Sequence, residues 1–487
     1  MNRYTAVHFA VRLRTVASLL TQLYGLLAVL TLVPTAVAFA TDSHCAGSVY
    51  VAIVIALGLA AVLGRRLGPV ARVQRNEAAT VVSLLFVTTS LLMALPIMSY
   101  GIPFMDAWFE AASGITTTGL STLDLSDKPT AFLFGRAWLQ WIGGIGVVVL
   151  ALAMIVSPGY TAKSLGFSPA ETGDAVGGTR AHARRVVVIY ISVTLIGVAA
   201  LALAGAAPRD AVLYCLAAVS TGGFAPYADS LASLGPMQIA IVNALCIAGA
   251  VSFHVYYRST FALRRGKHLD SQFYALLAAI VLGTLLVGTI ASPTATSLGW
   301  GDIVSLVVSA QTTAGFATTP VNALPAWLLI VLCALMFVGG GIGSTSGGVK
   351  LGRILVVVAW ARMYLVRTGL PPNVHTAVRV GGRKVGHADI EDVLAVIGCF
   401  SGVLFASWLI FVAHGYPPLP ALFEVTSALG TVGLSAGLTD ATLPATLKFV
   451  LCADMLFGRV EVVALLLVLL PQTWIGRRHG PDYGKRP

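Results

Sequence analysis

Long apolar segments, separated by short polar stretches, make up most of this chain. A helix needs about 20 apolar residues to cross a bilayer, and ten segments of the 487-residue sequence approach or exceed that length. They cover residues 14–40, 48–64, 78–98, 132–156, 186–206, 237–257, 272–291, 324–360 with an interruption, 393–412 and 447–470. The pattern therefore predicts a membrane protein with ten spanning helices.

Four shorter units lie between the third and fourth, fifth and sixth, seventh and eighth, and ninth and tenth segments. Each ends in a threonine-x-glycine tripeptide: Thr117-Thr118-Gly119, Thr221-Gly222-Gly223, Thr313-Ala314-Gly315 and Thr431-Val432-Gly433. The fourth resembles the start of a potassium-channel filter, in which backbone carbonyls replace the hydration shell of the ion. Because the units are too short to cross a bilayer, we expect re-entrant segments that line a cavity.

The surroundings of the tripeptides repeat as well. Thirteen residues before the final glycines stand Asp106, Asp210, Asp302 and Pro420. We expect a short helix to begin at each of these residues, because aspartate caps free amides and proline suits a first turn. Three units carry a serine six residues before the glycine, namely Ser113, Ser309 and Ser427. Each unit is thus predicted to be a capped helix followed by the tripeptide.

The spacing of the units predicts the architecture. Successive final glycines lie 104, 92 and 118 residues apart, which leaves room for two spanning helices between them. We therefore predict an all-α membrane protein with four repeats of helix, pore helix and helix around a central pore. The predicted segments are two additional helices in residues 1–75, then repeats in 76–160, 161–266, 267–385 and 386–487, the last with a cytoplasmic tail.

Composition and charge support this topology. Hydrophobic residues form 57% of the chain and charged residues 10%, against roughly 25% charged in soluble domains, which excludes a water-soluble protein. With a cytoplasmic amino terminus, 26 of the 31 basic residues fall inside and ten of the 20 acidic residues outside. This asymmetry predicts that both termini are cytoplasmic and that the four filter units face outward. The net charge of +11 then reflects contact with anionic lipid, not with nucleic acid.

A glycine-rich run interrupts the eighth apolar segment. It comprises Gly339, Gly340, Gly341, Ile342, Gly343, Ser344, Thr345, Ser346, Gly347 and Gly348. So many glycines make a helix costly, and unpaired backbone at membrane depth must line a water-filled path or be buried in protein. The run is predicted to be a mobile barrier below the filter. Close packing of small residues is the alternative.

The last apolar segment contains a charged residue, Arg459, near Asp454 and Glu461. An intramembrane arginine costs about 2.5 to 3.5 kcal/mol on insertion scales, so it should face the pore or a carboxylate partner. A pore-facing arginine would repel permeating cations. A structural ion pair explains the spacing equally well.

These features together resemble the TrkH/KtrB/HKT superfamily of potassium transporters. The resemblance rests on the filter units, residues 141–146 (WIGGIG), the glycine-rich break, residues 423–435 and residues 458–461 (GRVE), and it covers nearly the whole chain. The two helices before the first unit are similar to TrkH, whereas the fourth filter, residues 430–435, is more like that of KtrB. The chain is therefore identified as TrkH-type with one departure.

The resemblance implies roles for particular residues. Ion-binding carbonyls would come from Thr116, Thr117, Thr118, Gly119, Ser220, Thr221, Gly222, Gly223, Thr312, Thr313, Ala314, Gly315, Gly430, Thr431, Val432 and Gly433. The run from Gly339 to Gly348 would be the gating loop, and Arg459 its pore-facing arginine. Serine at the first filter glycine accompanies sodium selectivity in plant relatives, so four glycines favour potassium.

The resemblance also implies a plasma-membrane symporter, in bacteria the inner membrane, that forms homodimers and binds a cytosolic nucleotide-binding subunit of the TrkA/KtrA type. The basic region 362–384 and the carboxyl tail are candidate docking surfaces. The chain itself has no glycine-rich phosphate motif between a strand and a helix, and its cysteines lack metal-site spacing, so no resident cofactor, metal or catalytic residue is expected. The alternatives are a sodium or mixed sodium/potassium transporter of the same superfamily, and a secondary transporter of an organic substrate.

Overall fold

The computed structural model describes residues 10–68, 73–155, 175–253, 255–256, 271–291, 298–371 and 377–475. The basic carboxyl tail, predicted to be a docking surface, lies outside these residues. Apart from a two-residue antiparallel ribbon, β1 (Arg379–Val380) with β2 (Arg383–Lys384), the regular elements in the described part are helical.

The first two helices form a hairpin, α1 (Leu13–Ala40) and α2 (His44–Gly64). Small residues bring them close, because a side chain on Gly64 would overlap Thr21 and one on Gly25 would press on the Ala61 Cβ. Trp138 Nε1, on a later helix, donates to the Leu30 carbonyl at 2.9 Å. The hairpin is thereby fixed to the outside of the first repeat.

Four units of helix, short helix and helix follow. The first comprises α3 (Arg75–Met98), α4 (Phe104–Ile115) and α5 (Thr130–Ile155), and the second α6 (Ala175–Leu203), α7 (Pro208–Val219) and α8 (Pro236–Ala250). The third comprises α9 (Ser271–Ala291), α10 (Trp300–Thr312), α11 (Ala326–Val338) and α12 (Leu351–Arg367). The fourth comprises α13 (His387–Ala413), α14 (Pro418–Leu429), α15 (Ala445–Val460), α16 (Val462–Leu469) and the single turn α17 (Pro471–Trp474).

This helical order confirms the predicted fold class, an all-α membrane protein with four such repeats after two additional helices. Within the described ranges, six helices are both long and apolar enough to cross a membrane. The short helices α4, α7, α10 and α14 have 12 or 13 residues. At 1.5 Å per residue they reach about 20 Å, well short of a 30 Å hydrocarbon core.

The predicted starts of the short helices were two residues too late. The helices begin at Phe104, Pro208, Trp300 and Pro418, which places the expected starting residues in the third position. Proline at the first position of two of them explains the earlier start. Asp302 still accepts the amide of Gly299 at 3.2 Å at the helix start, as predicted. Asp106 and Asp302 also accept hydrogen bonds from the hydroxyls of Thr122 and Thr318, both at 2.7 Å. They tie the chain after each tripeptide back to its helix.

Two predicted continuous spans are broken. Helix α8 ends at Ala250 because the carbonyls of Gly249 and Ala250 accept the amides of Thr345 and Gly341, both at 3.0 Å, which satisfies its free end. The last span breaks at Glu461, whose φ of 72° is left-handed. Its carboxylate forms an ion pair with Arg353 at 2.7 Å, which holds the break in place.

Candidate functional site

The four threonine-x-glycine segments share one backbone conformation. Thr117, Thr221, Thr313 and Thr431 have φ values of 55°, 51°, 57° and 49°, and the four final glycines have φ values between 75° and 97°. The intervening amide donates back to the residue five positions earlier, as from Thr118 to Ser113 at 2.9 Å. Each short helix therefore ends in a Schellman motif with threonine where glycine is usual.

A left-handed β-branched residue is strained. Such conformations cost about 1 to 3 kcal/mol each and collect at functional sites, and this chain has four at equivalent positions. Their threonines are fully buried. The repetition indicates a backbone geometry that the protein maintains for a purpose other than stability.

The four segments form a closed ring. A side chain added to Gly119 would overlap the carbonyl oxygen of Gly222, and one on Gly223 would overlap that of Ala314. Likewise, Gly315 faces the carbonyl oxygen of Val432, and Gly433 faces that of Thr118. Each glycine thus abuts the middle carbonyl of the next segment, and the fourth segment returns to the first.

Polar side chains fix this ring from behind. The hydroxyls of Ser113 and Ser427 accept the amides of Gly119 and Gly433, both at 3.0 Å. The corresponding Ser309 hydroxyl has no such partner in the structure. The repeated serine therefore binds the amide of the final glycine in two of the three units that carry it.

The glutamates of the first and fourth units are also structural. Ser121 and Ser435, each two residues after a final glycine, donate to Glu110 at 2.9 Å and to Glu424 at 2.5 Å. Arg136 contacts Glu110 in a buried ion pair. These carboxylates hold the chain that leaves the ring.

The glycine-rich loop lies directly against the first residues of the second, third and fourth segments. The Gly347 amide donates to the Thr313 hydroxyl at 2.8 Å, and the Gly348 amide donates to the Gly430 carbonyl at 3.1 Å. The Thr345 hydroxyl contacts the Thr221 hydroxyl at 3.2 Å. Every loop residue except Gly343 is buried, so the loop covers one end of the ring.

Arg459 contacts backbone carbonyls in both the loop and the first repeat. Its Nη1 donates to Thr345 at 2.5 Å and its Nη2 to Gly143 at 2.7 Å. The two nearby carboxylates contact other residues: Asp454 accepts from Ser407 at 2.8 Å, and Glu461 pairs with Arg353. The side chain is 4% exposed, so a buried cation lies beneath the ring.

An open cavity of about 290 Å³ lies at the other end of the ring. Gly315 and Gly433 line its inner wall, and Asp229, Ser230 and Thr318 line its sides. Hydroxyls and a carboxylate suit a hydrated cation. The third and fourth segments therefore border a polar cavity at their final glycines and the buried loop at Thr313 and Gly430.

Two residues behind the ring were not predicted from the sequence. Gln140 contacts Gly222 and Phe224 of the second segment, and the Arg136 guanidinium lies 3.8 Å from the centre of the Phe224 ring. They are four residues apart on α5, so they share one helix face. Two polar residues on one face of an apolar membrane helix were the signal that could have identified them.

Comparison with known proteins agrees with the resemblance. The profile of the TrkH family, described as a cation transport protein, matches residues 50–291 and 269–475. The Trk system potassium uptake protein TrkH of Salmonella typhimurium is 30% identical over 423 residues, covering 82% of this chain and 86% of that protein. Its counterpart from Vibrio parahaemolyticus is 31% identical over 389 residues, covering 76% and 79%.

Similarity of structure extends over almost the entire chain. The crystal structure of the potassium transporter TrkH from Vibrio parahaemolyticus matches with a TM-score of 0.84 at 26% identity, covering 96% of this chain and 100% of that one. Such coverage includes the two additional helices and all four repeats. The chain belongs to the TrkH family of cation transport proteins.

Proposed function

We propose that this protein carries potassium into the cell through a channel-like pore in the bacterial inner membrane. The single observation that carries the proposal is the closed ring of four segments with strained threonines. The relatives named above are potassium uptake proteins, and the ring supplies a physical basis for the same selectivity here. Carbonyl oxygens of residues 116–119, 220–223, 312–315 and 430–433 would replace the hydration shell of the ion.

The proposed path begins in the outer cavity. A hydrated cation enters beside Asp229 and loses water as it reaches Gly315 and Gly433. Ring carbonyls then hold it in sequence. Inward movement gains about 2.3 kcal/mol per unit charge for every 100 mV of inside-negative potential, so the electrical gradient alone can drive uptake.

The glycine-rich loop is proposed to be the gate. Its amides and the Thr345 hydroxyl bond to three of the four segments, and Arg459 joins it to the remaining repeat through Gly143. Opening would require these bonds to break together. Glycines allow the necessary change of backbone conformation.

Regulation is proposed to come from a cytosolic nucleotide-binding subunit. The end of α12 and the β1–β2 ribbon expose Arg362, Arg367, Arg379, Arg383 and Lys384, a basic surface suited to an acidic partner face. Because α12 directly follows the loop, a partner bound there could pull on the gate. A homodimer with one pore in each subunit completes the proposed assembly.

Rubidium flux into vesicles containing the purified protein tests this function. With an inside-negative potential we expect rubidium uptake that excess potassium inhibits and sodium inhibits weakly. Equal inhibition by sodium would favour a mixed sodium/potassium transporter instead. Absence of rubidium uptake, with and without cytosolic partners, would overturn the proposal and favour an organic substrate.

A further inference from the structure

We propose that Gln140 is a positioning residue that sets the conformation and ion affinity of the second filter segment, residues 221–223. The inference rests on the proposed filter function of the ring. Gln140 belongs to α5 of the first repeat, so the second segment depends on a side chain from its neighbour.

The contacts of Gln140 are two-sided. Its Nε2 donates to the carbonyl oxygen of Gly222, and its Oε1 accepts the amide of Phe224 at 3.1 Å. The side chain is fully buried. One amide group therefore holds the backbone immediately before and after Gly223.

The second segment lacks the support found in others. The hydroxyls of Ser113 and Ser427 hold the final glycines of the first and fourth segments, whereas the corresponding residue of the second is Ala217. Its middle residue is also the most flexible type, Gly222. Gln140 supplies from outside a restraint that the segment's own sequence does not provide.

Gln140 also explains why the middle residue is glycine. The other segments have Thr118, Ala314 or Val432 at this position. A Cβ on Gly222 would lie 2.5 Å from Gln140 Cδ, and Gly222 is not among the residues with positive φ. A side chain on Gly222 is therefore excluded by lack of space and not by backbone conformation. Gln140 occupies the space that the side chain would need.

A second side chain, Arg136, holds the residue that follows the second segment, Phe224. The Arg136 guanidinium lies over the Phe224 ring at 3.8 Å and contacts Glu110 of the first short helix. A stacked, buried guanidinium immobilises the aromatic ring. Phe224 is thus held at its amide by Gln140 and at its ring by Arg136.

The arrangement makes the ring chemically unequal. Gly143 and Gly458 occupy equivalent places, each against the last carbonyl of its own short helix, and Met455 precedes Gly458 as Gln140 precedes Gly143. Met455 belongs to the same buried apolar cluster as Leu120, the residue that follows the first segment, and has no amide to donate. The Gly222 carbonyl shares its lone pairs with Gln140, so it should bind the ion differently from the Thr118 carbonyl.

The test uses Gln140→Met, with Met455→Leu as the matched control. Rubidium and sodium uptake would be measured in vesicles of equal protein content. We expect Gln140→Met to lower the rubidium-to-sodium ratio about tenfold, since two buried hydrogen bonds are lost. Met455→Leu should stay within about twofold of wild type, as volume-conserving changes do. An unchanged ratio in Gln140→Met would overturn the inference.

A compensating pair of substitutions tests the inference if Gln140→Met fails to fold. Gly222→Val should abolish rubidium uptake because valine collides with Gln140. The double variant Gln140→Ala with Gly222→Val should recover uptake, since valine then has the room that Val432 has in the fourth segment. If the double variant is no better than Gly222→Val, the inference is wrong. Failure of wild-type rubidium uptake would instead count against the proposed function.

Discussion

Arg459 and Thr345 are joined by a 2.5 Å hydrogen bond from the guanidinium Nη1 to the backbone carbonyl. The residues are 114 positions apart, and one lies in the last repeat while the other lies in the glycine-rich loop of the third. The same guanidinium reaches Gly143 of the first repeat. One side chain thus connects three repeats beneath the ring and places a positive charge there.

Replacing Arg459 should open the path. Arg459→Gln removes a charge that repels cations and weakens two charge-assisted bonds, each worth about 1.5 to 3 kcal/mol. Basal rubidium uptake should rise about tenfold or more. Arg459→Lys keeps the charge but cannot bridge both carbonyls in the same way, so it should be intermediate.

The control for this change is Arg209→Gln, because Arg209 is 43% exposed and pairs with Asp210 beside it. Uptake by Arg209→Gln should match wild type. If Arg459→Gln behaves like that control in vesicles of equal protein content, Arg459 is not part of the barrier.

Removing the loop should have a related effect. Deletion of residues 340–348 eliminates the bonds to Thr313, Gly430 and Thr221, and basal rubidium flux should rise. Gel filtration would confirm that the deleted protein remains folded. A folded protein with reduced flux would show that the loop supports the pore instead of closing it.

The first and fourth repeats should depend on one ion pair for stability. Lys448 Nζ lies 2.6 Å from Asp106 Oδ1, and the lysine side chain is 5% exposed. Removing one partner of a buried pair costs about 3 to 5 kcal/mol. Lys448→Met should therefore lower the unfolding temperature in detergent by several degrees, as followed by tryptophan fluorescence.

The exposed Arg209–Asp210 pair again provides the comparison. Surface pairs contribute about 0 to 1 kcal/mol, so Arg209→Met should leave the unfolding temperature almost unchanged. Equal unfolding temperatures for Lys448→Met and wild type would mean that the ion pair does not hold the two repeats together.

Much of the fold could be predicted because its signals are local. Apolar length identified most of the spans, and the recurrence of threonine and glycine identified the four segments. The strained backbone of Thr117 could not be predicted, since its φ depends on which amides donate to the free carbonyls at the end of the short helix. By contrast, the residues that meet in the ring stand at equivalent positions of the four tripeptides.

The features that the sequence did not predict depend on contacts between residues far apart in the chain. Gln140 and Gly222 are 82 positions apart, and nothing in either local sequence indicates the other. The break after Ala250 results from loop residues about 90 positions later in the chain, whose amides donate to the free carbonyls at the helix end. Tertiary contacts of this kind override the hydropathy pattern that suggested unbroken helices.

Selectivity of a glycine variant tests the proposed filter most directly. Gly119 has a φ of 95°, and a side chain there would overlap the Gly222 carbonyl, so Gly119→Ser must distort the ring. Gly58→Ser is the control, because nothing lies within 4 Å of a Cβ at that helical position. The rubidium-to-sodium uptake ratio in vesicles should fall about tenfold for Gly119→Ser and stay at the wild-type value for Gly58→Ser. A wild-type ratio in correctly folded Gly119→Ser would contradict a potassium filter formed by the four segments.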